Sequence, residues 1–134
     1  MNSLFELVKM NNVDTMPASE EQIANAESAL GMTFSKEYRK YLKSFGVISY
    51  GANEFYGLGV KDTSHLNIVN AVNDFRQIRR FPLSLIPITE IGDGHYYMYD
   101  NASETVVVVS LPDIGIKKVE SNLEKFLSKV ILDQ

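Results

Sequence analysis

Asp93, His95 and Asp100 fall close together around a turn and are residue types that a divalent cation recruits. Strand alternation places His95 and Tyr97 on one face and leaves Asp93 in the turn itself. The chain carries neither a His-x-Glu-x-His spacing nor an EF-hand loop, so Asp93, flanked by Gly92 and Gly94, reads as a turn residue and no metal is expected. His65 and His95 are the only histidines, and each reads more simply as structural than as catalytic. No Gly-x-Ser-x-Gly elbow offers an activated serine. Gly57-Leu-Gly-Val-Lys has two glycines, but it lacks the third glycine and the Lys-Ser/Thr ending of a phosphate-cradling loop. With no cysteine there is no disulfide framework and no thiolate metal site. The expectation is a chain with no catalytic residues and no cofactor, in which binding is the activity.

The residues that suit binding are aromatic and acidic. Of seven tyrosines and seven phenylalanines, Tyr50, Phe55, Tyr56, Tyr96, Tyr97 and Tyr99 gather in the glycine-punctuated and strand-rich parts of the chain. A meander cannot bury all of them, and exposed aromatics among acids are typical of protein-binding surfaces. The candidate partner-binding residues are therefore Tyr50, Glu54, Tyr56, Asp93, Tyr96 and Asp100. Against this stands the reading in which Tyr56 and Tyr96 are core, the glycines serve turns and the charges are merely solvated. Lys36, Arg39, Lys40 and Lys43 read as a solvated helix face, and as the next candidate surface if the acidic one fails.

These side chains must be positioned by a recognisable set of elements. Leu4, Leu7 and Val8 predict a short helix over residues 3–12. Ser19 followed by Gln22 is a capping box, Ile23, Ala26 and Leu30 form the apolar stripe behind it, and Gly31 can end that helix left-handed. Ser35 is a natural N-cap for a third helix lined by Tyr38, Tyr41, Leu42 and Phe45 and closed by Gly46. Residues 47–60 suggest short strands punctuated by Gly51, Gly57 and Gly59. A helical pattern returns over Ser64–Arg80, with Leu66, Val69, Val72 and Phe75 inward and Asn67, Asn70 and Asn73 on a neighbouring face. Leu85–Ile91 is a strand, and Pro87, with no amide donor, puts it at an edge or a strand start. Gly92-Asp-Gly turns the chain into His95–Tyr99, residues 100–104 turn it again, and Thr105–Leu111 is apolar enough for a central strand. Leu123, Phe126, Leu127, Val130 and Ile131 predict a closing helix over Ser121–Leu132. The layout is α+β: an antiparallel sheet meander flanked by N-terminal helices and a C-terminal helix.

Length and charge set the outer limits. The 134 residues suit a single domain over 1–134 able to bury its own core. A net charge of −4 argues against a general nucleic-acid binder. The charge is uneven: residues 36–46 carry four basic groups and one acid, whereas residues 47–104 carry seven acids and four basic groups. The start, Met1-Asn-Ser-Leu-Phe-Glu, has no basic stretch leading into an apolar block, and no apolar run approaches a membrane span. A cytoplasmic chain that binds neither nucleic acid nor membrane is expected.

A family resemblance adds to this reading. The run Ser19-Glu-Glu-Gln-Ile, Glu27, Leu30-Gly31, Phe34, Tyr38-Arg-Lys-Tyr-Leu and Phe45-Gly46 resembles the opening of the SUKH superfamily (SMI/KNR type), named in part for a fungal cell-wall assembly regulator. The later Gly92-Asp-Gly-His-Tyr-Tyr-Met-Tyr-Asp100 resembles that superfamily's turn-and-strand segment, in the same order along the chain. This sequence has no tryptophan, and Ser35 stands where many members have proline. The resemblance implies a sheet flanked by helices. It also implies an immunity protein of bacterial polymorphic-toxin systems, binding and neutralising a cognate toxin domain of nuclease or deaminase type. The acidic balance suits a basic toxin of that kind. The alternatives are a regulatory scaffold for a cellular enzyme, as the fungal relatives imply, and a small-molecule-binding domain built around Asp93 and His95.

Overall fold

The computed structural model describes residues 2–11, 13–50 and 53–132. Two of the positions read from sequence, Asn12 at the end of the first helix and the turn residue Gly51, lie outside them. Among the described residues the order is α1 (Asn2–Met10), β1 (Asp14–Thr15), α2 (Glu20–Leu30), α3 (Lys36–Ser44), β2 (Ile48–Tyr50), β3 (Asn53–Phe55), α4 (Ile68–Arg76), β4 (Leu85–Gly92), β5 (His95–Asp100), β6 (Thr105–Ser110), β7 (Gly115–Glu120) and α5 (Leu123–Leu132). The fold is α+β, with an antiparallel meander flanked by N-terminal helices and a C-terminal helix.

The helices begin where their capping residues dictate. Ser19 Oγ accepts from the Gln22 amide while Gln22 Oε1 accepts from the Ser19 amide, which completes the capping box of α2. Gly31 ends α2 at φ 62°, and Ser35 Oγ caps α3 by accepting from the Tyr38 amide. A long-range cap starts α5. The Glu37 carboxylate, on α3, accepts from the amides of Leu123 and Glu124 at 3.1 and 3.3 Å. A negative group at a helix N-terminus satisfies free donors and favours the helix dipole, so α3 fixes where α5 begins.

α4 corrects the sequence reading. It starts at Ile68 and not at Ser64, because Asn67 Oδ1 accepts from the Val69 amide and makes Asn67 the N-cap. The inward stripe shifts accordingly to Ile68, Ala71 and Val72, leaving Leu66 and Val69 only partly buried. The asparagine repeat is not one free polar face. Asn67 is a buried cap, and the Asn70 side-chain amide donates to the carbonyls of Asp62 and Ser64.

β4, β5, β6 and β7 form one antiparallel sheet in sequence order, with β6 central and β4 at an edge, where Pro87 is tolerated. The turn between β4 and β5 places Gly92, Asp93 and Gly94 all at positive φ. β1, β2 and β3 form a second, smaller antiparallel sheet. It attaches to the outer side of β4, where the Tyr56 amide donates to Ile88 O and Thr89 Oγ1 donates to Glu54 O. β1 and β7 were not read from sequence.

Strand alternation gives the large sheet two apolar faces. Ile86, Ile88, Tyr99 and Val106 join the main core beneath the helices, where the Tyr97 ring meets Phe126 of α5 at 4.7 Å. Leu85, Met98, Val107 and Val109 point the other way and are covered by Phe81, with Phe75 and Ile78 packed alongside. That second layer forms one wall of the candidate site.

Candidate partner-binding groove

Two adjoining cavities lie along this second face, where α4 passes over the sheet. The larger, about 380 Å³, runs between Asn70, Ala71, Asp74, Phe75 and Ile78 on the helical side and Tyr96 and Leu111 on the sheet. The smaller, about 160 Å³, is lined by Asn53, Glu54, Leu66, Thr89 and Glu90. Tyr56 and His65 line both, so the two cavities share a wall and together form the candidate groove.

Each element places its side chain for a local reason. The Tyr56 amide is held by Ile88 O, and its carbonyl accepts from the buried Tyr41 hydroxyl at 3.0 Å, so its backbone is fixed on both sides. Its ring is half-buried. Tyr96 is the cross-strand partner of Glu90 and packs edge-on against Phe75, with ring centroids 4.9 Å apart. Glu54 is exposed on β3, with Oε1 4.0 Å from His65 Nε2. Burial raises the Tyr56 phenol above its ordinary pKa, helped by Tyr96, Glu90 and Glu54. Burial and then Glu90 raise Tyr96 in the same direction. Both phenols stay neutral donors in a field made negative by the nearby carboxylates.

The structure divides the six residues proposed from sequence. Glu54, Tyr56 and Tyr96 come together in the groove. Tyr50 does not line it; its ring packs against the main core, and its strand partner Asn53 lines the smaller cavity instead. Asp93 sits exposed at the tip of the β4–β5 turn with φ 53° and lines neither cavity. Asp100 lies at the far end of β5, where its carboxylate accepts from the amides of Ala102 and Ser103 and closes the next turn. His95 pairs with Ser110 and is exposed, and among the described residues no three His, Asp or Glu side chains are grouped to hold a metal ion. The basic residues of α3 are partly engaged elsewhere, Arg39 with Glu27 and Lys43 with Glu20.

Sequence reasoning missed Glu90, Asp74, His65 and Asn53 as groove residues. One signal could have found Glu90: strand alternation across the Gly92–Gly94 turn pairs it with Tyr96. Asn70, Ala71, Asp74, Phe75 and Ile78 recur at helical spacing, so they line one side of a cleft once the phase of α4 is known.

A sheet meander with α3 and α5 packed over one face, and on the other a tyrosine- and carboxylate-lined groove walled by α4, describes an α+β domain with a preformed concave surface. Residues 20–127 match the SUKH_6 family, described as SMI1-KNR4 cell-wall, and the chain belongs to that family. Among solved structures, the crystal structure of a protein from Pseudomonas syringae pv. tomato superposes with a TM-score of 0.80 over 100% of both chains. At 19% identity that likeness is one of fold. No protein of curated function matches the chain significantly. No helix among the described residues is long and apolar enough to cross a membrane.

Proposed function

We propose that this chain is a cytoplasmic immunity protein, a single domain that binds a cognate toxin domain and neutralises it without itself catalysing a reaction. The observation that carries the reading is the groove. Tyr56 and Tyr96 sit half-exposed beside Glu54, Glu90 and Asp74, and among the described residues no lysine or arginine lines either cavity. Tyrosine supplies interface energy with its hydroxyl still hydrated. Carboxylates around it steer a cationic partner and disfavour an anionic one. A nuclease or deaminase toxin presents a basic surface to its own substrate, so a groove of this sign is suited to cover it. Family membership supports the same role, because the SUKH resemblance implies toxin neutralisation.

The test is co-expression followed by affinity. The chain should rescue cells from the toxin encoded beside its gene and not from unrelated toxins, since one complementary surface sets specificity. Tyr56→Ala and Tyr96→Ala should each weaken toxin binding by ~2 kcal/mol or more, as truncated interface anchors do. Rescue that survives both truncations, or turnover by the purified chain that is lost in Asp93→Ala or His95→Ala, would overturn the proposal.

A further inference from the structure

The groove is not uniform, and its two compartments differ in the chemistry they can hold. The larger is walled by Ala71, Phe75, Ile78 and Leu111, with Tyr96 across it and Asn70 and Asp74 as its polar wall, so an aliphatic side chain entering there is desolvated mainly against carbon. The smaller is lined by Glu54, Glu90 and Asn53, with His65 Nε2 4.0 Å from Glu54 and, among the described residues, no lysine or arginine. Tyr56 and His65 line both compartments and so stand at their junction.

We propose that the groove recognises a two-residue epitope, an aliphatic side chain next to an arginine, on an exposed segment of the partner. The aliphatic group fills the larger compartment. The guanidinium enters the smaller one, donating to Glu54 and Glu90 and lying near the Tyr56 ring. Arginine fits better than lysine, because its planar fork can reach two carboxylates while its face stacks on an aromatic ring. Glu54 is already paired only at 4.0 Å with an exposed histidine, a contact that an arriving guanidinium replaces at little cost. The occupant is a partner and not a second copy of this chain. A chain of net charge −4 opposes self-docking on an acidic groove, and charge complementarity favours a basic protein. This inference rests on the groove being the partner-binding surface, and it adds the chemistry of what enters it.

The experiment needs no toxin. Capped hexapeptides carrying leucine beside arginine in an alanine background, in both orders and with a one-residue spacer, are titrated into isotope-labelled protein by NMR. Matched peptides with leucine beside glutamate, alanine beside arginine and leucine beside lysine serve as comparisons. The best leucine–arginine peptide should bind about tenfold more tightly than the alanine–arginine peptide, the value of roughly one buried aliphatic side chain. Its shift changes should centre on Tyr56, Ala71, Phe75, Glu90 and Tyr96. Glu54→Gln with Glu90→Gln should abolish the advantage of arginine over glutamate and leave the contribution of leucine intact. The inference is overturned if the leucine–glutamate peptide binds as well, if the shifts map to another face, or if no peptide saturates at millimolar concentration. Concentration-dependent broadening of groove signals without peptide would also overturn it, by showing a second copy as the occupant. Peptide binding without rescue from the neighbouring toxin would remove the immunity reading and leave this one standing. Rescue without peptide binding would do the reverse.

Discussion

The hydroxyls of Ser35 and Tyr99 lie 2.7 Å apart, tying the first residue before α3 to the second strand of the large sheet. Ser35 makes three more bonds: its Oγ accepts from the Tyr38 amide, its carbonyl accepts from the Arg39 amide at 2.9 Å, and its own amide donates to Asn101 Oδ1 at 2.8 Å. The Asn101 side chain in turn donates to Thr33 O, so the β5–β6 turn clamps the α2–α3 connection. The Tyr99 ring stacks on Tyr38 at 5.4 Å and is fully buried.

Substitutions at Ser35 separate these bonds. Ser35→Ala removes the cap and should cost about 1–2 kcal/mol in urea unfolding. Ser35→Pro is the more informative change. The backbone at φ −60° accepts a proline ring, yet proline loses both the cap and the amide bond to Asn101. It should cost about 2–3 kcal/mol, more than alanine. A proline variant as stable as the parent would show that the clamp contributes nothing.

Two glycines should respond to alanine for different reasons. A Cβ on Gly57 would lie 1.5 Å from Gly46 O, where the Leu58 amide also bonds, and that backbone cannot retreat. Gly57→Ala should therefore cost more than about 4 kcal/mol or leave no soluble protein. Gly31 has open space around it but sits at φ 62°, so Gly31→Ala should cost only about 1–2 kcal/mol, the conformational penalty alone. Equal losses at the two sites would refute the close-approach argument.

Alkaline pH should unfold the protein through its buried tyrosines. Burial raises Tyr38, Tyr41 and Tyr99 above the ordinary phenol value of 10.0. The unfolded chain loses these protons near that ordinary value, whereas the native state keeps them. Their stabilising effect is thus fully present below about pH 10 and is lost as pH climbs toward the native values. Tyrosinate absorbance should show these three ionising only with loss of near-ultraviolet circular dichroism. Free titration of all seven tyrosines in the folded state would contradict their burial.

Much of the fold was legible because it depends on local chemistry. Ser19 with Gln22, Gly31, Ser35 and Gly92-Asp-Gly each specify a backbone geometry that operates within a few residues. The family-like residues have the same character. Glu27 accepts from the Phe34 amide and from Arg39, and Tyr38 and Tyr41 are core, so they identify a fold and say little about a partner. β7 was illegible because nearly all of it is exposed. Ile116 and Val119 face outward, with Lys117 and Lys118 between them guarding an edge strand. The groove was half legible. Tyr56 and Tyr96 meet only because the small sheet docks on β4, which no local pattern encodes, and Asp74 was hidden by the phase that Asn67 imposes on α4.

The clearest test of that division compares charge reversal at two acids that sequence alone placed in one site. Glu54 is exposed and lines the smaller cavity; among the described residues its side chain has one ion-pair contact, His65 at 4.0 Å. Asp100 is spent on the β5–β6 turn, accepting from Ala102 at 2.9 Å and Ser103 at 3.4 Å, and it lies at the other end of β5 from the groove. Glu54→Lys should leave stability within the range of ordinary surface changes, about ±0.5 kcal/mol. It should slow association with a cationic toxin and flatten the dependence of the rate on salt, because the steering charge has changed sign. Asp100→Lys should do the opposite, lowering stability by about 1 kcal/mol through loss of the turn bonds and leaving association unchanged. Stopped-flow association across a salt series, with thermal melts of both variants, measures the two effects separately. If Asp100→Lys slows association as much as Glu54→Lys, the partner covers the far end of β5 as well, and the groove is only part of the interface.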